Sequence, residues 1–212
     1  MQKGTIKQWF VSVGMILISI MPIYSQTSAE QWLEKASTLF KNKGIEVSFL
    51  LNENGVRLNG KLIMEGNSYL FDTDEMKVWF DGQTQWTLQV SPSFTELYIS
   101  EPTLEDQQSI NPYLLLDSYK KNFKVSLGES QTSKTGAIHE IILTAQNTQQ
   151  DLSSLSIYMK NNGEPTALTL HFPDERVYQI TVRSFRNGLT FPKDKFTYSS
   201  KAYPTDEIID MR

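Results

Sequence analysis

Two histidines, His139 and His171, are the only imidazoles in 212 residues, and the chain has no cysteine. Nucleophilic catalysis needs a hydroxyl or thiol beside a base that activates it. Here each histidine sits among apolar residues, Ile138 and Ile141 or Leu170 and Phe172, in stretches that read as strands. No His-Glu-x-x-His helix, Gly-x-Ser-x-Gly elbow or glycine-rich phosphate loop occurs. The acids Asp72, Asp74 and Glu75, and Glu105 with Asp106, fall in turn-like segments, where aspartate is favoured for its bonds to nearby backbone. A calcium ion held at Asp72, Asp74 and Glu75 would lack the twelve-residue loop spacing. The residue chemistry therefore predicts no catalytic centre, no cofactor and no metal, in a protein that holds something without transforming it.

The elements around these residues are mostly strands. Asp81-Gly82 predicts a type I′ hairpin, whose two central residues both need φ > 0. Met76, Val78 and Phe80 before the turn and Trp86 and Leu88 after it recur at spacing two, which predicts a sheet with one apolar and one wet face. The same rhythm predicts strands at 45–51, 58–64, 68–72, 97–99, 125–127, 138–145, 155–159, 167–172, 177–182 and 195–199. Turns fall at Asn52-Glu53-Asn54-Gly55, Gly66-Asn67, Asn161-Asn162-Gly163 and Pro173-Asp174-Glu175. With no alternation of strand and helix, a total of about 10–11 short strands is expected, which predicts a mainly β chain, an unclosed antiparallel barrel with helices on its concave side.

Two helices interrupt the strands. Ser28 with Gln31 matches a capping box, and Trp32, Leu33, Ala36, Leu39 and Phe40 then share one face. A second amphipathic segment runs from Asn111 to Asn122, with Pro112 in its first turn and Leu114, Leu115 and Leu116 making a wide apolar stripe. Two arrangements fit that stripe: a helix covered by the sheet on most sides, or a lid whose apolar side faces a ligand cavity.

Residues 1–25 read as an export signal. Lys3 and Lys7 precede an apolar stretch from Trp9 to Ile23, and Ser25 is a small residue suited to cleavage. That stretch is 15 residues long, short of the ~20 that a spanning helix needs. The absent cysteine excludes a lipoprotein signal, disulfides and thiol metal sites. Removal of residues 1–25 leaves 18 basic against 24 acidic residues, a net charge of −6. That balance argues against nucleic acid or an anionic membrane as partner. Residues 26–212 are long enough to bury the core of one domain, expected in the periplasm without a lipid anchor.

In their order, these pieces resemble the LolA-like outer-membrane lipoprotein carriers. The resemblance rests on the helix that follows the signal segment, the hairpin Asp81-Gly82-x-Thr84-x-Trp86 with Pro92 beyond it, and the segment Asn111-Pro112-x-Leu114-Leu115. The ending Tyr203-Pro204-x-x-Glu207-Ile208-Ile209-Asp210-Met211-Arg212 looks like that of the Bacteroidetes-type members. The resemblance implies an open barrel plugged by helices, and a monomeric carrier that takes an acylated lipoprotein, or another lipid, from an inner-membrane ABC-type transporter towards an outer-membrane acceptor. It departs from the family pattern in one respect. The family's basic residue before a proline at the end of the second strand is replaced by Met64-Glu65-Gly66-Asn67, with Arg57 the only arginine nearby.

The expected lining of an apolar cavity is Phe49, Leu51, Leu62, Met64, Tyr69, Phe71, Val78, Trp86, Leu88 and Leu97, with Leu115 from the lid; in the other phase of the strand 68–72, Leu70 replaces Tyr69 and Phe71. Leu115→Asp should then abolish lipid binding and leave the β fold intact. The competing reading is an envelope interaction module with a fully packed interior, which would leave no connected apolar void.

Overall fold

The computed structural model describes residues 28–40, 43–103, 107, 119–133, 136–147 and 152–212. The export signal, Leu115 and most of the Asn111–Asn122 segment lie outside them. Helix α1 (Ala29–Phe40) opens the described chain, followed by thirteen strands. These are β1 (Gly44–Glu53), β2 (Val56–Glu65), β3 (Ser68–Thr73), β4 (Met76–Phe80), β5 (Gln85–Val90), β6 (Thr95–Ser100), β7 (Phe123–Leu127), β8 (Gln131–Ser133), β9 (Gly136–Ala145), β10 (Ser154–Lys160), β11 (Pro165–His171), β12 (Val177–Leu189) and β13 (Glu207–Asp210). They form one sheet in the order β13-β6-β5-β4-β3-β2-β1-β12-β11-β10-β9-β7, with β8 paired to β9. The end strands β13 and β7 do not pair, so the sheet is mainly antiparallel and unclosed.

Local chemistry explains the boundaries. Ser28 N–H donates to Gln31 Oε1 at 2.9 Å and Gln31 N–H donates to Ser28 Oγ at 3.3 Å, the reciprocal capping box expected of this pair. Between β1 and β2, Asn54 (φ 50°) and Gly55 (φ 91°) both take the left-handed conformation, which a two-residue I′ hairpin requires. The Asp81-Gly82 turn differs from expectation. Only Gly82 has positive φ (107°), and β4 and β5 are joined by the four residues Asp81–Thr84. Asp81 closes this loop with its side chain, Oδ1 accepting from Gln83 N–H and Thr84 N–H, each at 2.9 Å.

Two further elements depart from the sequence reading. Lys193–Phe196 is a 3-10 turn following Pro192 instead of the start of a strand at Lys195. The C-terminal β13 pairs in parallel with β6, from Glu207 beside Glu96 to Asp210 beside Ile99. A parallel edge strand reached through a long connection carries no hairpin signal in the sequence.

Register identifies the two faces. Residues directly opposite in neighbouring strands share a face, so Leu143, Leu155, Leu170 and Tyr178 fall on one side, with Ile141, Ile157, Leu168, Ile180 and Leu51 in the next row. This is the inner face. Over β7, β9 and β10 it is covered by α1, whose Trp32, Leu33 and Ala36 pack with Ile141, Leu143, Leu155, Ile157 and Met159. Trp32 also stacks on His139 with ring centres 4.2 Å apart. His139 is fixed in turn, with Nε2 2.8 Å from Asn161 Oδ1 and Nδ1 3.2 Å from Ser130 Oγ. His171 is one residue out of phase with Leu170 and lies on the opposite face, so the two imidazoles cannot act together.

Candidate functional site: the inner face

From β12 to β4 the inner face continues as a second apolar cluster. Ile45, Val47 and Phe49 of β1 join Leu62 and Met64 of β2, Tyr69 of β3, and Val78 and Phe80 of β4, with Leu51, Phe71, Met76, Ile180 and Val182 packed around them. Phe40 at the end of α1 touches both clusters, so the apolar surface runs without a break from one to the other. Gly60 is what lets Phe49 lie flat. It faces Phe49 across the β1–β2 ladder, and a methyl group there would sit 2.2 Å from the ring. Phe49 then stacks on Phe71, ring centres 5.7 Å apart and planes 28° apart.

At β5 the character of this face changes. Phe80 is opposite Gln85, Val78 opposite Thr87 and Met76 opposite Gln89. In β6 the matching positions are Ser100, Tyr98 and Glu96. These polar groups bond to one another across the boundary. Tyr69 donates its hydroxyl to Gln85 Oε1 at 2.8 Å, Gln85 Nε2 donates to Thr87 Oγ at 3.2 Å, and Tyr98 donates its hydroxyl to Glu96 Oε2 at 2.8 Å. The bond to Glu96, reinforced by burial and by the charges of Glu96 and Glu207, raises the Tyr98 phenol above its ordinary pKa. The inner face is thus apolar over β1–β4 and polar over β5–β6.

A groove of about 860 Å³ opens where these halves meet, at the end of the sheet holding the β3–β4 and β5–β6 turns. Leu51, Leu58, Phe71 and Met76 line it from the apolar half, Gln89 and Glu96 from the polar half, and Thr73 to Glu75, Val90 to Pro92 and Phe94 from the turns. Phe94 and Val90 form an apolar lip, 40% and 46% exposed. The volume falls within the 300–1,000 Å³ range of small-molecule sites.

The expected lining residues therefore divide. Phe49, Leu51, Leu62, Met64, Tyr69, Phe71 and Val78 share the inner face, but only Leu51 and Phe71 line the groove, the other five being buried in the packed cluster beside it. Trp86, Leu88 and Leu97 do not. They belong to a third cluster on the outer face with Ile63, Leu70, Trp79 and Phe196. The reason is arithmetic. A hairpin with an even number of loop residues sets odd positions against even ones, so Trp86 falls opposite Trp79 instead of continuing the phase of Val78 and Phe80. Leu97 follows because it is opposite Leu88. Groove residues outside the expected lining include Leu58, Met76, Val90, Phe94 and Glu96. The pairing of Leu58 with Leu51 could have found the first.

The outer cluster is closed by the C-terminal segment. Trp79 packs against Tyr203 and Tyr198 with ring centres 5.0 and 5.6 Å apart, and Tyr198 donates its hydroxyl to Tyr203 O at 2.6 Å. Arg57 is exposed beside Asn52, out of phase with Leu58, and so points away from the inner face. Glu65, standing where the family's basic residue is expected, accepts from Phe191 N–H at 2.9 Å and ties β2 to the segment after β12. Asp72, on the outer face, pairs with Lys77 at 2.7 Å. Among the described residues no three or more His, Cys, Asp or Glu side chains are grouped to hold a metal ion.

An open sheet whose inner face is packed into two apolar clusters, partly under a helix, and ends in a groove is the arrangement of a binding fold. Residues 23–167 match the family described as outer membrane lipoprotein carrier protein LolA. That is more than half of the chain, and the protein belongs to this family. An uncharacterized conserved protein from Thermus thermophilus shares the fold, with TM-score 0.57 and 11% identity over 86% of this chain and 98% of that one. A LolA superfamily protein from Nitrosomonas europaea aligns at TM-score 0.41 and 12% identity, over 82% of this chain and 99% of its own. A putative outer membrane lipoprotein-sorting protein domain from Vibrio parahaemolyticus aligns at 0.42 and 7%, over 80% of this chain and 97% of its own. No curated protein matches the chain. Among the described residues no helix is long and apolar enough to cross a membrane.

Proposed function

We propose that this protein is a periplasmic carrier that holds the acyl chain of a lipoprotein, or of another lipid, against its inner face and moves it from the inner to the outer membrane. In this reading an inner-membrane ABC-type transporter loads it and an outer-membrane acceptor receives the cargo. The observation that carries the proposal is the groove at the end of the inner face, walled by Leu51, Leu58, Phe71 and Met76 next to the buried apolar cluster, with an exposed apolar lip. Each methylene taken out of water contributes about 0.8 kcal/mol. A long acyl chain thus supplies on the order of 10 kcal/mol before the costs of association, with no directed polar chemistry. An open groove also suits release, which a sealed core would prevent. Leu115 would contribute from a lid over this face.

Native mass spectrometry of the protein purified from periplasm without detergent tests the proposal. Solvent extraction should recover an acylated species, and N-phenyl-1-naphthylamine should displace it. Protein free of bound lipid that also ignores the dye would contradict a carrier and favour the packed interaction module.

A further inference from the structure

The groove is electrostatically one-sided. Its charged lining residues are Asp74, Glu75 and Glu96, all acidic, with no lysine or arginine among them. The neighbouring cations are turned away or already paired. Lys61 and Lys77 fall opposite Asp72 on the outer face, where Lys77 pairs with Asp72 and Lys61 lies 3.8 Å from Glu46. Arg176, in the β11–β12 turn, is held by Asp174 at 2.7 Å and stacks over Phe172. Glu53, the last residue of β1, continues the phase of Phe49 and Leu51 and adds a further acid at this end of the inner face.

The same groove joins two kinds of surface. Leu51, Leu58, Phe71 and Met76 offer an acyl chain a continuous wall, and Gln89 and Glu96 stand beside it on the polar strands. A bound amphiphile with its chain on β1–β4 would bring its head group to Glu96, with Asp74 and Glu75 across the opening. An anionic head would meet three carboxylates, Asp74 and Glu75 on the exposed β3–β4 turn and Glu96 half-buried, and would be repelled by them. A cation would meet the complementary field.

We infer that the groove selects an acyl chain carrying a positive charge next to it, and discriminates against anionic amphiphiles such as free fatty acids. This inference rests on the carrier reading. It makes the polar stripe of β5 and β6 the surface that reads the head group, while β1–β4 hold the chain without regard to its identity.

The test compares three soluble N-palmitoyl tetrapeptide amides, palmitoyl-Gly-Lys-Gly-Lys, palmitoyl-Gly-Ser-Gly-Ser and palmitoyl-Gly-Glu-Gly-Glu, in displacing N-phenyl-1-naphthylamine from the whole protein. The lysine peptide should displace the dye at a concentration at least about tenfold lower than the glutamate peptide in low salt, with the preference shrinking at about 0.5 M salt. In the triple variant Asp74→Asn, Glu75→Gln, Glu96→Gln that ratio should fall below about threefold, through weaker binding of the lysine peptide and tighter binding of the glutamate peptide. The amide introduced by Glu96→Gln retains an acceptor for the Tyr98 hydroxyl, and unaltered thermal unfolding shows the variant is folded. Equal affinities in the unaltered protein, or a preference that survives in the variant, would overturn the selectivity and leave the carrier standing. Failure of all three peptides to displace the dye would overturn both.

Discussion

Gly60→Ala is the perturbation that most directly probes how the inner face is built. A Cβ at this position would sit 2.2 Å from Phe49 Cζ and 2.4 Å from Cε2, so the ring must move. Phe49 is 8% exposed and stacked on Phe71, so displacement breaks the stack and presses on Leu62 and Val78. Overpacking of this kind costs about 1–3 kcal/mol. Gly60 has no positive φ, so alanine also restricts the unfolded chain, which returns about 0.4–1 kcal/mol. The net expectation is a loss of about 1–2 kcal/mol, or a fall in Tm of about 3–6 °C for a chain of this size. Urea unfolding followed by Trp fluorescence measures it. The cycle with Phe49→Leu isolates the cause: in the Gly60→Ala background Phe49→Leu should be close to neutral, giving a coupling of about 1 kcal/mol or more. A Gly60→Ala protein as stable as the parent, or two strictly additive substitutions, would refute the account of this contact.

Other expectations follow from the packing. Leu33→Ala, at a site only 1% exposed between α1 and the sheet, should cost about 2–4 kcal/mol in urea unfolding. Phe71→Asp should abolish binding of N-phenyl-1-naphthylamine, whereas Trp86→Leu should lower Tm and leave the affinity within about twofold, because area lost from the outer cluster affects folding alone. The C-terminal strand should loosen in acid. Asp206 accepts from the Thr95 backbone N–H at 2.7 Å and from its hydroxyl at 2.9 Å, and these bonds lower its pKa. Since the folded pKa lies below the ordinary 3.8, its contribution is complete above that value and disappears as pH falls through the lower one. Exchange of β13 amide hydrogens should accelerate across that window in the parent and be already fast, with little pH response, in Asp206→Ala.

What the sequence disclosed depended on how local each signal was. The Ser28–Gln31 cap and the turn within Asn52–Gly55 are set by near neighbours; the cap took the expected form, and the chain turns at Asn54-Gly55, with Asn52 and Glu53 still in β1. Asp81-Gly82 was legible as a turn, but its type depended on whether Asp81 would adopt positive φ or use its carboxylate as an acceptor, and the carboxylate won. The apolar phase was readable within most strands, but not in β3, where Tyr69 and Phe71 on one face and Leu70 on the other are all apolar. Phase across the hairpin required counting the loop, and carrying Val78 and Phe80 directly on to Trp86 and Leu88 put two faces into one. The change from apolar to polar along the inner face is a property of register between six strands, so no window of sequence displays it. The C-terminal cover of Trp79 by Tyr198 and Tyr203 joins residues more than a hundred positions apart and was equally invisible.

The central claim is that the acyl chain lies on the inner face over β1–β4. The most direct measurement is paramagnetic broadening of methyl resonances by the uncharged methyl ester of 16-doxyl-stearic acid. The account predicts strong broadening of Leu51, Leu58 and Ile180, with Ile63, Leu88 and Leu97 spared behind the sheet. Broadening of the outer methyls instead, or of none, would contradict it.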